Sequence, residues 1–207
     1  MNILSWLVII PLLTITGILL VKDARQAKIV SAIGMGIQLV IAFLIVYTYV
    51  GLRKGGNTDE MVMISSFEWF RSLNIYYTVG VDGISVAMIA LTSVVVFAGI
   101  FASWEMEDLK KEFFISLILL ATGVFGFFIS LDLFTMFLFY EVAVIPMYIL
   151  IGIWGSGPKE YAAMKLTLML MGGSALLMVG LFGIYFNSAP DGGEVTLNIL
   201  EISKITI

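Results

Sequence analysis

The chain has 207 residues, of which 60% are hydrophobic and 13% are charged, with a mean hydropathy of +1.07. This composition is typical of an integral membrane protein and excludes a soluble globular domain, in which about a quarter of the residues are charged. The net charge of −4 argues against nucleic acid as a partner, and the lack of Cys and His removes the usual ligands of metals, haem and iron–sulfur clusters, so no cofactor or metal is expected in this chain.

Six apolar stretches are each long enough to cross a membrane as a helix, which takes about 20 residues. The first has neither the basic start nor the small-residue cleavage site of a signal peptide, so we expect it to be retained. The predicted fold is an all-α, polytopic membrane protein with one six-helix domain over residues 1–186. The predicted spans are about 2–21, 28–50, 82–103, 112–131, 133–154 and 161–186.

Residues 51–76 form the longest connection between predicted spans, and we place them on the outer side of the membrane. Alternating side chains over residues 67–70 and again over 73–79 favour two short strands lying at the membrane surface. Asp82 and Ser85 follow this connection, and one of them is expected to cap the third helix.

The fourth and fifth predicted spans are separated only by the neighbourhood of Ser130 and Asp132. Such a tight connection requires the two helices to pack side by side and antiparallel. Asp132 is expected to be a helix cap. After the sixth span, residues 187–207 begin with a polar turn and end as LNILEISKITI, which predicts an interfacial helix or a linker.

Basic residues predict the orientation of the helices, because they accumulate in short cytoplasmic loops. The loops after the first, third and fifth spans carry most of them, which predicts an outer N-terminus. The basic residues of these loops are Lys22, Arg25, Lys28, Lys110, Lys111 and Lys159.

Glu141 lies in the middle of the fifth apolar run, nine residues after Asp132. At 1.5 Å per residue this places it about 13 Å into the helix, close to the centre of a hydrocarbon core of about 30 Å. A carboxylate at that depth is costly and usually serves proton or ion transfer, so Glu141 is the leading candidate for a protonatable relay.

Two further residues accompany Glu141 in this prediction. Pro146 has no backbone N–H, so the carbonyl of Val142 loses its regular helical partner beside the buried acid. Lys165 is predicted about 10 Å inside the sixth helix, where it is either a second relay group or a lysine reaching back to the surface. The sequence Gly172-Gly173-Ser174 is expected to permit close helix approach.

Three segments together resemble a known family. The fifth span resembles the fifth-helix signature of the antiporter-like membrane subunits of respiratory complex I, and IPMYILIGIWG is similar to the chain M branch of that family. The segments are FISLDLFTMFLFYEVAVIPMYILIGIWG, YTVGVDGIS and KEYAAMKLTLMLMGGS.

The resemblance implies a proton-translocating subunit of NADH:quinone oxidoreductase, with NADH, FMN, iron–sulfur clusters and quinone held by partner subunits. It matches Glu141 to the family's fifth-helix glutamate and Lys165 to a sixth-helix lysine. The implied partners are other membrane subunits of complex I and the lipid bilayer, in a bacterial inner membrane. Family members have about fourteen spans, so the match covers an N-terminal portion.

Two other interpretations of the sequence remain open. A subunit of a multi-subunit cation/proton antiporter would share the same fifth-helix glutamate. A scaffold fragment that packs against neighbours without transporting protons would fit the lack of a seventh-helix lysine in this sequence.

Overall fold

The computed structural model describes residues 2–56, 58–70, 75–105, 110–188 and 195–204. These residues form seven α-helices and a two-stranded antiparallel sheet, preceded by a short 3₁₀ turn at Ile3–Ser5. The elements are α1 Trp6–Leu20, α2 Ala24–Lys54, β1 Val62–Phe70, β2 Ile75–Val81, α3 Gly83–Ala102, α4 Lys111–Ile129, α5 Leu133–Trp154, α6 Lys159–Asn187 and α7 Ile199–Ile202.

Helices α1 to α6 are each long and apolar enough to cross a membrane, which confirms the predicted fold class. The observed helices and the predicted spans overlap, and their ends differ by at most four residues. The largest difference is in α2, which runs from Ala24 to Lys54 where 28–50 was predicted. Polar residues continue this helix beyond the apolar run at both ends, so hydropathy alone underestimates its length.

The α4 helix is the centre of the bundle, with α1, α3 and α5 packed around it. Its buried side chains join two hydrophobic clusters, one towards each end of the helices. By contrast, α5 and α6 bury little of their surface within the described part of the chain. The candidate residues on α5 and α6 therefore lie at one side of the bundle.

The connection between α2 and α3 is the predicted surface hairpin. β1 pairs with β2 in antiparallel register, and the pairing is irregular between Val62 and Ser65. Met63 lies in that irregularity with a left-handed φ of 58°, and its carbonyl accepts a hydrogen bond from the Asn2 side chain. The hairpin is thereby fixed to the start of the chain, at the end of the bundle that we call the outer end, following the predicted orientation.

The α4–α5 connection is held between the hairpin and the segment after α6. The backbone N–H of Leu131 donates to the Thr78 carbonyl at 2.8 Å. On the other side, the Leu133 N–H donates to the Leu197 carbonyl and the Ile199 N–H donates to the Leu131 carbonyl, each at 2.9 Å. Residues 197–199 thus return to the outer end and fix the position at which α5 begins.

A proline in α1 is compensated by an amide on α2. Pro11 cannot donate to the carbonyl of Leu7, four residues earlier, and the Gln38 Nε2 donates to that carbonyl at 2.9 Å. Gln38 is 1% exposed, and its Oε1 is buried without a hydrogen-bond partner among the described residues. The interhelical bond ties α1 to α2 inside the membrane.

Candidate functional site

Glu141 is the ninth residue of α5. At 1.5 Å per residue it lies about 12 Å from the outer end of the helix and about 20 Å from Trp154 at the inner end. This position agrees with the predicted depth of the Glu141 carboxyl group. The relay role of Glu141 stays a prediction.

The first half of α5 is held closely against α4 by two glycines. A Cβ added at Gly123 would lie 2.8 Å from the Phe139 carbonyl oxygen and 2.8 Å from the Ala143 Cβ. At Gly126 an added Cβ would overlap the Phe139 ring. Since Phe139 and Ala143 flank Glu141 at two residues on either side, this close packing fixes the backbone that carries the carboxyl group.

The Glu141 side chain is half-buried, and its Oε1 is buried with no hydrogen-bond partner in the part of the chain that the structure describes. Ile145 and Tyr148, which follow on the same stripe of α5, are 65% and 45% exposed. The carboxyl group therefore lies at the border between the packed helices and an uncovered face of α5. A buried acceptor in this position is available to a donor or to a proton.

Pro146 is buried, one turn towards the inner end from Glu141. Because it has no N–H, the regular bond to the Val142 carbonyl cannot form. Val142 itself is 37% exposed. Pro11 in α1 leaves the Leu7 carbonyl free, and Gln38 donates a hydrogen bond to it. Pro146 in α5 leaves free the carbonyl of Val142, the residue directly after Glu141.

Lys165 is exposed on α6, and its ammonium lies over the Tyr161 ring at 5.9 Å from the ring centroid. Ala163 is the residue of α6 that packs on α5. Lys165 comes two positions later, which turns its side chain about 200° around the helix axis from that of Ala163. Lys165 therefore points away from α5. No hydrogen bond or ion pair within the described ranges joins Lys165 to Glu141, so the structure does not bring these two predicted site residues together.

An apolar cavity of about 280 Å³ lies where α4, α5 and α6 meet. Tyr140, Ala143 and Met147 of α5 line it together with Leu170 of α6. It shows that α5 and α6 remain neighbours as far as the level of Ala143, one half-turn from Glu141.

The two aspartates expected at helix starts are caps, as predicted. Asp82 accepts a hydrogen bond from the Ser85 N–H at 2.7 Å. Burial raises the pKa of Asp82, but the hydrogen bonds from Ser85 and neighbouring backbone groups outweigh it and hold the pKa below its usual value. Asp132 accepts from the Thr135 N–H at 3.0 Å and from the Thr135 hydroxyl at 3.2 Å.

Sequence reasoning missed one polar residue and misjudged a glycine pair. Gln38 is an amide within the apolar part of α2, and Pro11 on the preceding span was the available signal for its partner. The expectation that Gly172 and Gly173 permit close helix approach is wrong within the described residues, because a Cβ at either would meet nothing within 4 Å. Ser174, the third residue of that motif, is buried.

These features define a class: a multi-pass membrane protein whose described part forms a bundle of six membrane-length helices, with an acid deep in the fifth. Residues 130–206 match the family described as "NADH:quinone oxidoreductase/Mrp antiporter, TM". The resemblance inferred from the fifth-helix motif is therefore confirmed.

Similar curated proteins carry names from the same class. The chain is 31% identical over 188 residues to NAD(P)H-quinone oxidoreductase chain 4 of the Mesostigma viride chloroplast, covering 90% of this chain and 37% of the relative. It is 30% identical to NADH-quinone oxidoreductase subunit M of Rhodobacter capsulatus, covering 89% and 36%. It is also 27% identical to F(420)H(2) dehydrogenase subunit M of Methanosarcina mazei, covering 96% and 39%. The chain thus spans less than two fifths of the length of these relatives.

Solved structures share the fold. A chain of respiratory complex I from Thermus thermophilus matches 99% of this chain and 39% of its own length, with a TM-score of 0.76 and 17% identity. A chain of the archaeal membrane-bound sulfane sulfur reductase matches 100% and 40%, with a TM-score of 0.75 and 19% identity. The described helices therefore share the fold of the corresponding part of these two chains.

Proposed function

We propose that this chain is the N-terminal part of a proton-translocating membrane subunit of NADH:quinone oxidoreductase, with Glu141 as a group that takes up and releases the proton. The observation that carries the proposal is the Glu141 Oε1, buried about 12 Å inside α5 without a hydrogen-bond partner among the described residues. The names of the similar proteins support the same assignment.

In this proposal the chain moves protons, and the electron chemistry belongs to partner subunits that bind NADH, FMN, iron–sulfur clusters and quinone. Pro146 contributes by leaving the Val142 carbonyl without its regular partner, so that a polar backbone group borders the acid. Close packing of Gly123 and Gly126 on α5 keeps the acid at a fixed place while the proton is exchanged.

Lys165 is proposed as a second relay group, nearer the cytoplasmic end. It lies about 9 Å along α6 from Lys159, roughly 13.5 Å short of the level of Glu141. Because its ammonium points away from α5, exchange with Glu141 requires carriers between them. We expect Lys165→Ala to lower pumping less than Glu141→Gln does, and an effect confined to assembly would instead indicate a lysine that reaches the membrane surface.

The test is Glu141→Gln in the intact membrane complex, which keeps the side-chain shape and removes the titrating group. We expect proton pumping by inverted membrane vesicles to fall at least tenfold, while the amount of assembled complex stays within about twofold. Glu160→Gln is the matched control, since Glu160 is exposed in the first turn of α6. Unchanged pumping rate and stoichiometry in Glu141→Gln would reject the relay role.

A cation/proton antiporter subunit is the second candidate, because the matching family includes Mrp antiporters in its description. A native gel of mildly solubilised membranes, stained for NADH dehydrogenase activity, separates the two. Migration of the tagged chain with that activity supports the respiratory complex in a bacterial inner membrane. Migration with other small membrane proteins supports the antiporter, and migration alone supports a scaffold fragment.

A further inference from the structure

The α5–α6 interface has a defined register. The two helices run antiparallel, and a Cβ added at Gly152 would lie 3.6 Å from the Ala163 Cβ. Farther from the inner end, Leu170 shares a cavity wall with Ala143 and Met147. In antiparallel helices, residue numbers fall along one helix as they rise along the other. The Gly152–Ala163 contact and the cavity contact of Leu170 with Ala143 and Met147 fit one such alignment.

This register brings Ser174 to the level of Glu141. Glu141 precedes Gly152 by eleven residues and Ser174 follows Ala163 by eleven, which is three helical turns and about 16.5 Å in each case. Three full turns return each residue to the face of its own helix that carries the contact. Glu141 and Ser174 therefore lie at the same depth along α5 and α6, and no hydrogen bond joins them among the described residues.

Burial supports the same placement. Ser174 is 8% exposed, and it and Ala163 are the buried residues among those described for α6. α5 is the helix against which α6 packs extensively. A buried side chain of α6 is accordingly buried against α5.

We propose that Ser174 is a positioning residue for the Glu141 carboxyl group, an inference that rests on the proposed function. The Ser174 hydroxyl donates to the Met171 carbonyl at 3.0 Å, which leaves its oxygen lone pairs free to accept a hydrogen bond. A protonated Glu141 can donate to that oxygen. When Glu141 is ionised, the hydroxyl can rotate away from Met171 and donate to the carboxylate, so one residue serves both protonation states.

Ser174→Ala in the intact complex tests this role. We expect the infrared band of the protonated Glu141 carboxyl, identified by its loss in Glu141→Gln, to move to higher wavenumber because a hydrogen bond is lost. We expect the pumping rate to fall about fivefold, with a changed pH profile, and Ser174→Thr to restore both. Ser93→Ala is the matched control, because Ser93 is a buried serine of α3 with the same kind of bond, to the Ala90 carbonyl at 2.8 Å.

The outcomes separate the two claims. An unchanged carboxyl band, or an unchanged pH profile where no band is seen, in Ser174→Ala would overturn the positioning role even if Glu141→Gln abolishes pumping. Equal rate losses in Ser174→Ala and Ser174→Thr, with less assembled complex on a native gel, would overturn it in favour of packing. Normal pumping in Glu141→Gln would remove the proposed function itself.

Discussion

Asp132 is a buried cap whose charge costs stability in the folded protein. It lies before α5, outside the membrane-spanning segment, and is 1% exposed. Burial raises the pKa of Asp132 above its usual value of 3.8, although hydrogen bonds from Thr135 and the backbone of Phe134 act in the other direction. Because the folded state binds the proton more tightly than the unfolded chain, this residue favours folding at low pH, and its contribution is lost as pH rises through the raised pKa.

We predict that Asp132→Asn is at least as stable as the natural protein at neutral pH, because the amide oxygen keeps the cap and the buried charge is removed. The advantage should shrink as the pH falls towards 4. Asp132→Ala, which loses both bonds from Thr135, should cost about 1 kcal/mol. Thermal unfolding of the protein in mild detergent, measured from pH 4 to 8, checks this order. A lower stability of Asp132→Asn at pH 8 would contradict the prediction.

Gln38 and Pro11 should be coupled energetically, since the amide serves a carbonyl that the proline leaves free. We predict that Gln38→Leu costs about 1 kcal/mol alone and close to nothing in a Pro11→Ala background, where residue 11 can donate to Leu7. Double-mutant comparison of unfolding in detergent measures the coupling. Equal costs in the two backgrounds would show that the Gln38–Leu7 bond contributes nothing to stability.

At the scale of elements, the α4–α5 contact depends on two positions without a side chain. We predict that Gly123→Ala lowers the yield of folded protein severalfold, because the added methyl meets the backbone of Phe139 and Ala143, which cannot move aside as a side chain can. Gly51→Ala on α2 is the control, because a Cβ there meets nothing within 4 Å. Fluorescence-detected size-exclusion chromatography compares them, and equal yields would refute the close packing.

The positions of the helices along the chain could be predicted from the sequence, but which side of each helix packs against its neighbours could not. Hydropathy locates α1 to α6 because membrane-spanning helices satisfy their own backbone groups and need only apolar length. Hydropathy does not predict how each helix is rotated about its own axis, because an apolar side chain packs equally well against lipid and against protein. For this reason the depth of Glu141 could be predicted from the sequence, whereas the side of α6 on which Lys165 lies could not. The Gln38–Leu7 bond was missed because it joins residues far apart in the sequence.

At the scale of the whole molecule, the described helices divide into a packed half and an open half. α4 is surrounded, whereas α6 leaves large apolar side chains such as Leu168 and Leu176 uncovered, at 65% and 75% exposure. Solved proteins with this fold are more than twice as long as the chain. The uncovered faces of α5 and α6 therefore meet either lipid or further protein, and Glu141 lies on the border of that region.

The return of residues 197–199 to the α4–α5 connection has a consequence for biosynthesis. During translation α4 and α5 enter the membrane before α6, so the backbone groups of Leu131 and Leu133 that later pair with Leu197 and Ile199 first face water. They find their partners only after α6 has crossed and its far end has emerged. Insertion of the sixth helix thus completes the contacts at the start of α5, which until then is held by its packing on α4 and by the Leu131–Thr78 bond.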